Sequence, residues 1–131
     1  MRYNSGFSIL EILMVTLAVG TLTSVAMPQY EKALEVARTT EAYLMLGYLR
    51  TAEGAYFCEY GSYTADLKKL TAEIPADDSI LHYFRYSVHL SPTGFAAQAM
   101  RKTGEERGKE PNAGEPYAVA LSSDGILSGG L

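Results

Sequence analysis

Hydrophobic side chains are concentrated in one uninterrupted stretch near the amino terminus. Residues 7–27 read FSILEILMVTLAVGTLTSVAM and contain a single formal charge, that of Glu11. As a helix this stretch would be about 31 Å long at 1.5 Å per residue, close to the roughly 30 Å hydrocarbon thickness of a bilayer. The pattern therefore predicts a helix that can span a membrane.

A second helical pattern follows Pro28 and runs from Gln29 to about Gly54. Its spacing predicts one face that packs on a folded head and one wet face. The predicted apolar face comprises Ala33, Val36, Ala37, Leu44, Tyr48 and Ala52, and the wet face comprises Glu31, Lys32, Glu35, Arg38 and Glu53. Because proline lacks an amide hydrogen, we expect the helix to kink or loosen at Pro28, with Gly20 weakening the same region. A simple helix end at the membrane face fits Pro28 equally well.

The segment after this helix predicts a connector that packs on the head. Residues 54–70 contain a break at Gly61-Ser62 and a stretch from Thr64 to Leu67 that can open one short helical turn. The aromatic residues of the connector are Tyr56, Phe57, Tyr60 and Tyr63. Stacking on single-stranded nucleic acid is the alternative use of such rings, but no basic patch accompanies them, so packing is favoured.

The carboxyl-terminal part predicts a small antiparallel sheet. Residues 83–90 alternate in part between polar and apolar side chains, residues 91–94 read Ser-Pro-Thr-Gly and form a turn, and residues 95–100 return as the partner strand. Residues 117–121 supply a third strand. The predicted fold class is α+β, with a long kinked amino-terminal helix, transmembrane in its amino half, packed against this small sheet.

The segments between and after these strands predict loops and turns. Residues 101–116 are rich in Gly, Pro and mixed charge, which indicates an exposed loop. Ser123-Asp124-Gly125 predicts a turn, followed by Ile126-Leu127 and a flexible Gly129-Gly130 end.

Composition and charge narrow the function classes. The 131 residues suffice for one small domain plus an accessory element. Eleven Lys and Arg against fifteen Asp and Glu give a formal charge of −4, which disfavours binding to nucleic acid or to anionic membranes through bulk charge. Cys58 is alone, so an intramolecular disulfide and a thiolate metal site are both excluded.

No catalytic or metal-binding constellation is visible in the sequence of the predicted head. His82 and His89 lie seven residues apart without a second cluster of ligand types, so structural roles are favoured. Asp124-Gly125 has only serines nearby, whereas calcium takes about six to eight oxygens, so a turn is favoured there. We therefore predict a non-enzymatic protein without a cofactor.

The charge of Glu11 within the apolar stretch needs an explanation, because an unpaired carboxylate in hydrocarbon costs roughly 3 kcal/mol. A secretory signal peptide cut after Ala26 fits the small residues Ser24 and Ala26, but an acid opposes its insertion. A plain membrane anchor has no use for the acid either. Proteolysis between Gly6 and Phe7 would create an α-ammonium at Phe7 that can neutralise Glu11, and pairing between neighbouring chains would set their register.

These residues resemble the start of a known family. Gly6-Phe7-Ser8-Ile9-Leu10-Glu11, the apolar run and Met27-Pro28-Gln29-Tyr30 are similar in order and spacing to the class III signal and first helix of type IV prepilins. The resemblance implies cleavage after Gly6 by a prepilin peptidase, methylation of the freed Phe7 amine and an assembly role for Glu11. It also implies bending or melting of the helix around Gly20 and Pro28.

The resemblance further implies an organisation and a set of partners. Residues 1–6 would be the leader, 7–28 the transmembrane and filament-core half of the helix, 29–54 its amphipathic half, and 55–131 a globular head. The implied partners are other copies of the chain and minor pilins, prepilin peptidase, an inner-membrane assembly platform and motor, and membrane lipid. The precursor is expected in the inner membrane, and the assembled subunit in a surface pilus or a periplasmic pseudopilus.

Two alternatives stay open. A type II secretion pseudopilin shares the amino-terminal pattern, but the calcium loop expected of a major pseudopilin is not evident, so a pilus subunit for adhesion, motility or DNA uptake is favoured. An alternative of another class is a soluble exported binding domain released by signal peptidase after Ala26, with the aromatic connector as its ligand surface.

Overall fold

A computed structural model describes residues 6–112 and 114–131; residues 1–5 of the predicted leader lie outside the described residues. The chain forms one long helix, α1 (Ile9–Tyr60), a short 3-10 turn (Leu67–Lys69) and four strands, β1 (Phe84–Ser91), β2 (Gly94–Arg101), β3 (Ala118–Ser122) and β4 (Leu127–Gly129). Two compact units divide the chain, one ending at Ala37 and the other spanning Arg38–Leu131. The α+β fold class predicted from the sequence is confirmed, because α1 packs against a small antiparallel sheet.

The long helix ends at a glycine further along the chain than the predicted one. Gly54 lies inside α1, whereas Gly61 follows its last residue with a φ of 72° and donates its amide hydrogen to the carbonyl of Phe57 at 2.8 Å. A left-handed residue with this hydrogen bond is a common helix terminus. The expected end near Gly54 was wrong, because a glycine within a helix costs only about 1 kcal/mol and packing can outweigh that cost.

The four strands form one antiparallel sheet in sequential order, β1-β2-β3-β4. The predicted hairpin is confirmed, with Ser91 opposite Gly94 and the register continuing to Phe84 opposite Arg101. The predicted third strand is β3, which pairs with β2. The fourth strand corrects the expected flexible end, since Gly129 pairs with Val119 at a φ of 83°. A Cβ added to Gly129 would lie 2.2 Å from the carbonyl oxygen of Ala118, so only glycine fits there.

Alternation along the strands places the core between the sheet and the helix. The buried hydrophobic residues are Ala42, Leu46, Leu49, Ala52, Leu70, Phe84, Tyr86, Val88, Phe95, Ala97, Ala99, Val119 and Leu121. The helical members recur at spacings of four and three, which aligns them on one stripe. The small alanines of the central strand β2 face this stripe and leave room for the larger side chains around them.

The face of α1 that the sequence favoured is not the face that packs on the sheet, except at Ala52, which is buried in the core as expected. Val36, Leu44 and Tyr48 are more than half exposed, and Glu35 and Glu53, expected on the wet face, are buried. The helix carries apolar side chains on two faces, so periodicity alone could not decide between them. The buried face also accepts polar residues where the opposing segment supplies a hydrogen-bond donor.

The first part of the predicted connector is wrong, because Tyr56, Phe57 and Tyr60 lie inside α1; the remainder packs in part on the head, as expected. The predicted short turn is the 3-10 turn, whose first amides are capped by Asp66 accepting from the Lys68 amide at 3.1 Å. The Tyr63 ring lies 4.7 Å from that of Phe57 and 4.9 Å from that of Phe95, centroid to centroid, and Tyr63 packs against the core. Tyr60 stays 62% exposed, so the predicted packing does not extend to it.

Glu53 ties the connector to the helix from inside the core. Its carboxylate is fully buried, one oxygen accepts from the Thr64 amide at 3.0 Å, and the other has no hydrogen-bond partner among the described residues. Burial raises the pKa of the Glu53 carboxyl above its ordinary value of 4.5, and the Thr64 hydrogen bond offsets part of that rise. Folding therefore shifts the equilibrium of this acid towards its neutral form relative to the unfolded chain.

Replacing Glu53 by glutamine should stabilise the fold at neutral and higher pH by about 1 kcal/mol, because the amide keeps the acceptor for Thr64 and carries no charge. A raised folded-state pKa means that the wild-type carboxyl contributes its full stability below pH 4.5 and loses it as pH rises through the raised pKa. The advantage of Glu53→Gln should therefore grow with pH in denaturant unfolding of the full chain in detergent. The exposed Glu59→Gln is the control, and an equal advantage for both variants would contradict the assignment.

Candidate functional site

The predicted cleavage junction lies just ahead of the helix. Gly6, Phe7 and Ser8 are exposed and precede the first helical residue, Ile9, and the first turn closes with the Ile12 amide donating to the Ser8 carbonyl at 3.1 Å. Phe7 is 78% exposed. The Gly6–Phe7 peptide bond is thus accessible and outside regular secondary structure, which are the properties that favour proteolysis.

Glu11 occupies the first turn of α1, four residues beyond Phe7. Its carboxylate has no hydrogen bond or ion pair with any other residue in the described part of the chain. Unpaired amides at a helix start favour a nearby negative charge by a few tenths of a kcal/mol, roughly, which is far below the cost of holding an ion in hydrocarbon. If this turn enters a membrane, a positive partner, which the described residues do not supply within the chain, would offset that cost.

An uninterrupted apolar surface surrounds this acid and continues along the helix. The large hydrophobic side chains between Ile9 and Met27 are all 53–79% exposed. Monomeric soluble proteins rarely show apolar patches of more than a few hundred Å². This helix is long and apolar enough to cross a membrane, and its most apolar window is 0% buried. Its surface needs lipid or other polypeptide chains around it.

The hydroxyl side chains between residues 16 and 24 are satisfied within the helix. Thr16, Thr21, Thr23 and Ser24 each donate a hydroxyl hydrogen to a carbonyl three or four residues earlier, at 2.7–3.0 Å. Such back-bonding removes the need for water, as a lipid or dry helix interface demands. Space is open around Gly20, where an added Cβ would have no neighbour within 4 Å. The stretch therefore offers small, neutral positions against which another helix can pack closely.

Pro28 lies inside α1, and the backbone is helical on both sides of it. Its missing amide hydrogen leaves the carbonyl four residues earlier, that of Ser24, without its usual helical donor. Bending or melting at Gly20 and Pro28 stays a prediction.

A second set of polar side chains links the helix to the start of the sheet. The Glu41 carboxylate accepts from the Tyr83 amide at 3.2 Å and from the Tyr86 hydroxyl at 3.1 Å, and lies 3.5 Å from Nδ1 of His82. Burial, and then the negative charge of Glu41, raise the pKa of the Tyr86 phenol. His89 lies apart from this group, 3.3 Å from Oε1 of Gln98. The two histidines therefore contact separate groups of residues.

No group of three or more His, Cys, Asp and Glu side chains that could hold a metal ion occurs within residues 6–112 and 114–131. Asp124, weighed above as part of a calcium loop, lies in the turn that leads to β4. Cys58 is a free thiol exposed on α1.

The predicted exposed loop begins with two buried cations, which corrects that expectation. Arg101 and Lys102 are both 0% exposed. The Arg101 guanidinium donates to the carbonyls of Tyr83 at 3.1 Å and Glu110 at 2.7 Å, so it fastens the loop to the start of β1. The Lys102 ammonium donates to the Ser79 carbonyl at 2.7 Å. Charged residues beside a Gly- and Pro-rich stretch normally indicate solvent, so no sequence signal marked this pair.

The Tyr83 ring lies close to several cationic side chains at this loop. Cationic groups of Arg38, Arg101 and Lys109 lie 5.5, 5.3 and 5.0 Å from the ring centroid. Arg38 also forms an ion pair with Glu110 in the loop. Cation–π contacts of this kind are worth about 0.5–2 kcal/mol each, depending on burial.

The described residues thus present the exposed amino-terminal acid on an apolar helix and a cation-fastened loop on the head. Only the first of these was singled out from the sequence. No protein-family model, curated protein or solved structure matches this chain.

Replacing Arg101 by methionine should destabilise the head by about 2–4 kcal/mol, because the carbonyls of Tyr83 and Glu110 lose their buried donor. Denaturant unfolding of the full chain in detergent measures this loss. Arg107→Met, at an exposed arginine of the same loop, should change stability by less than about 0.5 kcal/mol. Equal effects of the two substitutions would show that Arg101 does not fasten the loop.

Proposed function

We propose that this chain is the precursor of a type IV pilin, a membrane-inserted subunit that polymerises into a filament after its leader is removed. The observation that carries the proposal is a single carboxylate, Glu11, in the first turn of an exposed apolar helix, four residues after an accessible Gly6–Phe7 junction. A plain anchor would gain nothing from that acid.

Cleavage after Gly6 supplies the missing partner for the acid. It breaks one peptide bond by addition of water and leaves an α-ammonium on Phe7, at the end of the same helix that carries Glu11. A bare carboxylate or a bare ammonium is costly in hydrocarbon, whereas the pair is close to neutral. If the ammonium of one chain meets the Glu11 carboxylate of another, the helices are held in a fixed register while their apolar surfaces cover each other.

Several features of α1 support close packing of identical helices. The hydroxyl groups of residues 16–24 are bonded internally, and the space around Gly20 is open. Association of helices away from water depends on close contacts between small residues, because lipid tails are as apolar as the side chains. The head, which spans the second compact unit, would then lie on the outside of the filament as its exposed surface.

The mature amino terminus tests the processing step. Mass spectrometry of the protein purified from membranes or filaments should give a chain that begins at Phe7 and carries a methyl group on its α-amine. A chain beginning at Met27 without modification would instead show the soluble exported domain. A chain that retains residues 1–6 within a filament would contradict the proposal.

Substituting Glu11 by alanine should leave membrane insertion and cleavage intact but reduce filament yield at least about tenfold, because the Phe7 ammonium would then be unpaired within the helix bundle. The yield is measured as sheared surface protein relative to total cellular protein.

Glu31→Ala is the matched control, since it removes an exposed glutamate from the same helix beyond the apolar stretch. A wild-type filament yield from Glu11→Ala would count against the assembly role. Long surface filaments favour a pilus, whereas loss of protein secretion on deletion would assign the chain to a type II secretion pseudopilus.

A further inference from the structure

The far end of α1 borders a groove that the proposed function does not use. The groove lies between the last turns of the helix, the start of the connector and the β1–β2 turn, and it encloses about 410 Å³. Phe57 and Tyr63 line it together with the hydroxyl-bearing residues Ser62, Ser91 and Thr93, and none of the described residues that line it is charged. It therefore offers aromatic rings and neutral polar groups to the same ligand.

The rings and the hydroxyl groups of this groove are both available to a ligand. The Phe57 ring stacks on that of Tyr63 with a centroid separation of 4.7 Å, and Phe57 stays 43% exposed. Tyr63 also contacts the buried ring of Phe95 at 4.9 Å, which fixes its position. The three hydroxyl-bearing residues are exposed, and their side chains form no hydrogen bond within the described part of the chain.

A second, smaller space lies next to this groove and adds a positive charge. It encloses about 240 Å³, and its lining includes Arg50, Gly54 and Ser123. Tyr63 lines both spaces, so they adjoin at this residue. We call the two spaces together the Tyr63 groove.

Gly54 keeps the helix side of the Tyr63 groove open. Arg50, Gly54 and Phe57 follow one another at spacings of four and three, which places them on one face of α1. A Cβ added at Gly54 would meet no atom within 4 Å. The face from Arg50 to Phe57 spans about 10 Å at 1.5 Å per residue. A linear ligand can therefore contact both ends of the Tyr63 groove at once.

The Arg50 guanidinium is held in place but keeps most of its donors free. Its Nε donates to the Ser123 carbonyl at 3.2 Å, and a Cβ added at Gly125 would lie 3.2 Å from one of its terminal nitrogens, so the β3–β4 turn packs closely against it. The terminal nitrogens form no hydrogen bond or ion pair with any described residue, including Asp124 of the same turn. A planar guanidinium with free N–H groups binds an oxyanion through two parallel hydrogen bonds.

We propose that the Tyr63 groove binds an acidic oligosaccharide, whose sugar rings lie against Phe57 and Tyr63 and whose carboxylate pairs with Arg50. A sugar ring presents a C–H face that packs on an aromatic ring, and hydroxyl groups at its edge that exchange hydrogen bonds with neutral side chains. The inference goes beyond the proposed function and does not depend on it, because every residue of the groove lies in the compact unit Arg38–Leu131.

The composition of the groove favours a saccharide over a nucleic acid. Sites for single-stranded nucleic acid combine stacked rings with a row of cations along the backbone. Among the described residues, Arg50 is the only cationic one that lines the Tyr63 groove. The formal charge of the whole chain, −4, adds repulsion towards a polyanion. A ligand with few charges and many hydroxyl groups therefore matches the groove better.

Calorimetric titration of the full chain, in a detergent without a sugar headgroup, tests this proposal. The probes are tetrasaccharides of galacturonate, of mannuronate and of alternating glucuronate and N-acetylglucosamine, each compared with its own methyl ester. One or more of the acids should bind at least about tenfold more tightly than the ester, because esterification removes the charge that pairs with Arg50 and leaves the sugar rings unchanged. A glutamate tetrapeptide, which carries carboxylates without sugar rings, should bind as weakly as the esters.

Two pairs of variants assign the binding to the groove. Arg50→Gln should weaken binding of the acid at least about tenfold, whereas Arg107→Gln, at an exposed arginine outside the groove, should leave it unchanged. Gly54→Leu should also weaken binding, because its side chain fills the open space. Gly47→Leu is its control, at an exposed helix glycine whose added Cβ likewise meets nothing within 4 Å. Neither leucine should lower the thermal unfolding temperature, since leucine favours a helix more than glycine does.

Failure of every acid to bind overturns the inference, and so do equal affinities of the acids and their esters or of the wild-type chain and Arg50→Gln. Equal binding of the glutamate peptide and the acids also overturns it, since Arg50 would then recognise any carboxylate. If the saccharide binds but the mature chain does not begin at Phe7, the proposed function fails and the saccharide site stands.

Discussion

One carboxylate in the exposed first part of α1, where residues 9–27 are otherwise uncharged, is the constraint on which the rest of the structure depends. Glu11 lies among side chains that no other part of the described chain covers, and it has no partner there. Lipid can cover the apolar surface, but lipid cannot compensate the acid. A positive group that reaches the first turn of α1 would compensate the acid, and under the proposed function cleavage after Gly6 supplies one as a new amine at Phe7.

The head has a thin core that no intramolecular disulfide stabilises. A sheet of four short strands against one helical stripe buries few large side chains, and Cys58 has no other cysteine with which to pair. Charged side chains hold the segments of the head together instead. Arg101 and Lys102 bind carbonyls of preceding segments, Glu41 binds the start of β1, and Glu53 binds the connector. Each tie joins separate segments of the chain, as a disulfide would, but its strength depends on exclusion of water.

The sequence predicted what local periodicity and turn chemistry determine, and little beyond that. The hairpin, the third strand and the short turn at Asp66 were all recognised, because alternation and turn residues are local signals. The strand β4 was missed, because a stretch of three residues does not reveal that it pairs with another strand. The buried roles of Glu53, Arg101 and Lys102 were missed for the same reason. In the candidate site, Glu11 was singled out because a charge within an apolar run is visible without any structure, and the roles of Gly6, Phe7 and Glu11 stay predictions.

The wrong choice of helix face follows from the same physics as the proposed assembly. Between residues 42 and 55, α1 carries one apolar stripe under the sheet, with Ala42, Leu46 and Leu49, whereas Leu44 and Tyr48 on another face stay exposed. Periodicity cannot rank two apolar stripes, and a monomeric protein would have reason to keep only one of them. A helix with a second uncovered stripe is therefore expected where further chains complete the packing. By this reasoning, the uncovered apolar side chains of this part of α1 support the proposal that further chains pack against it.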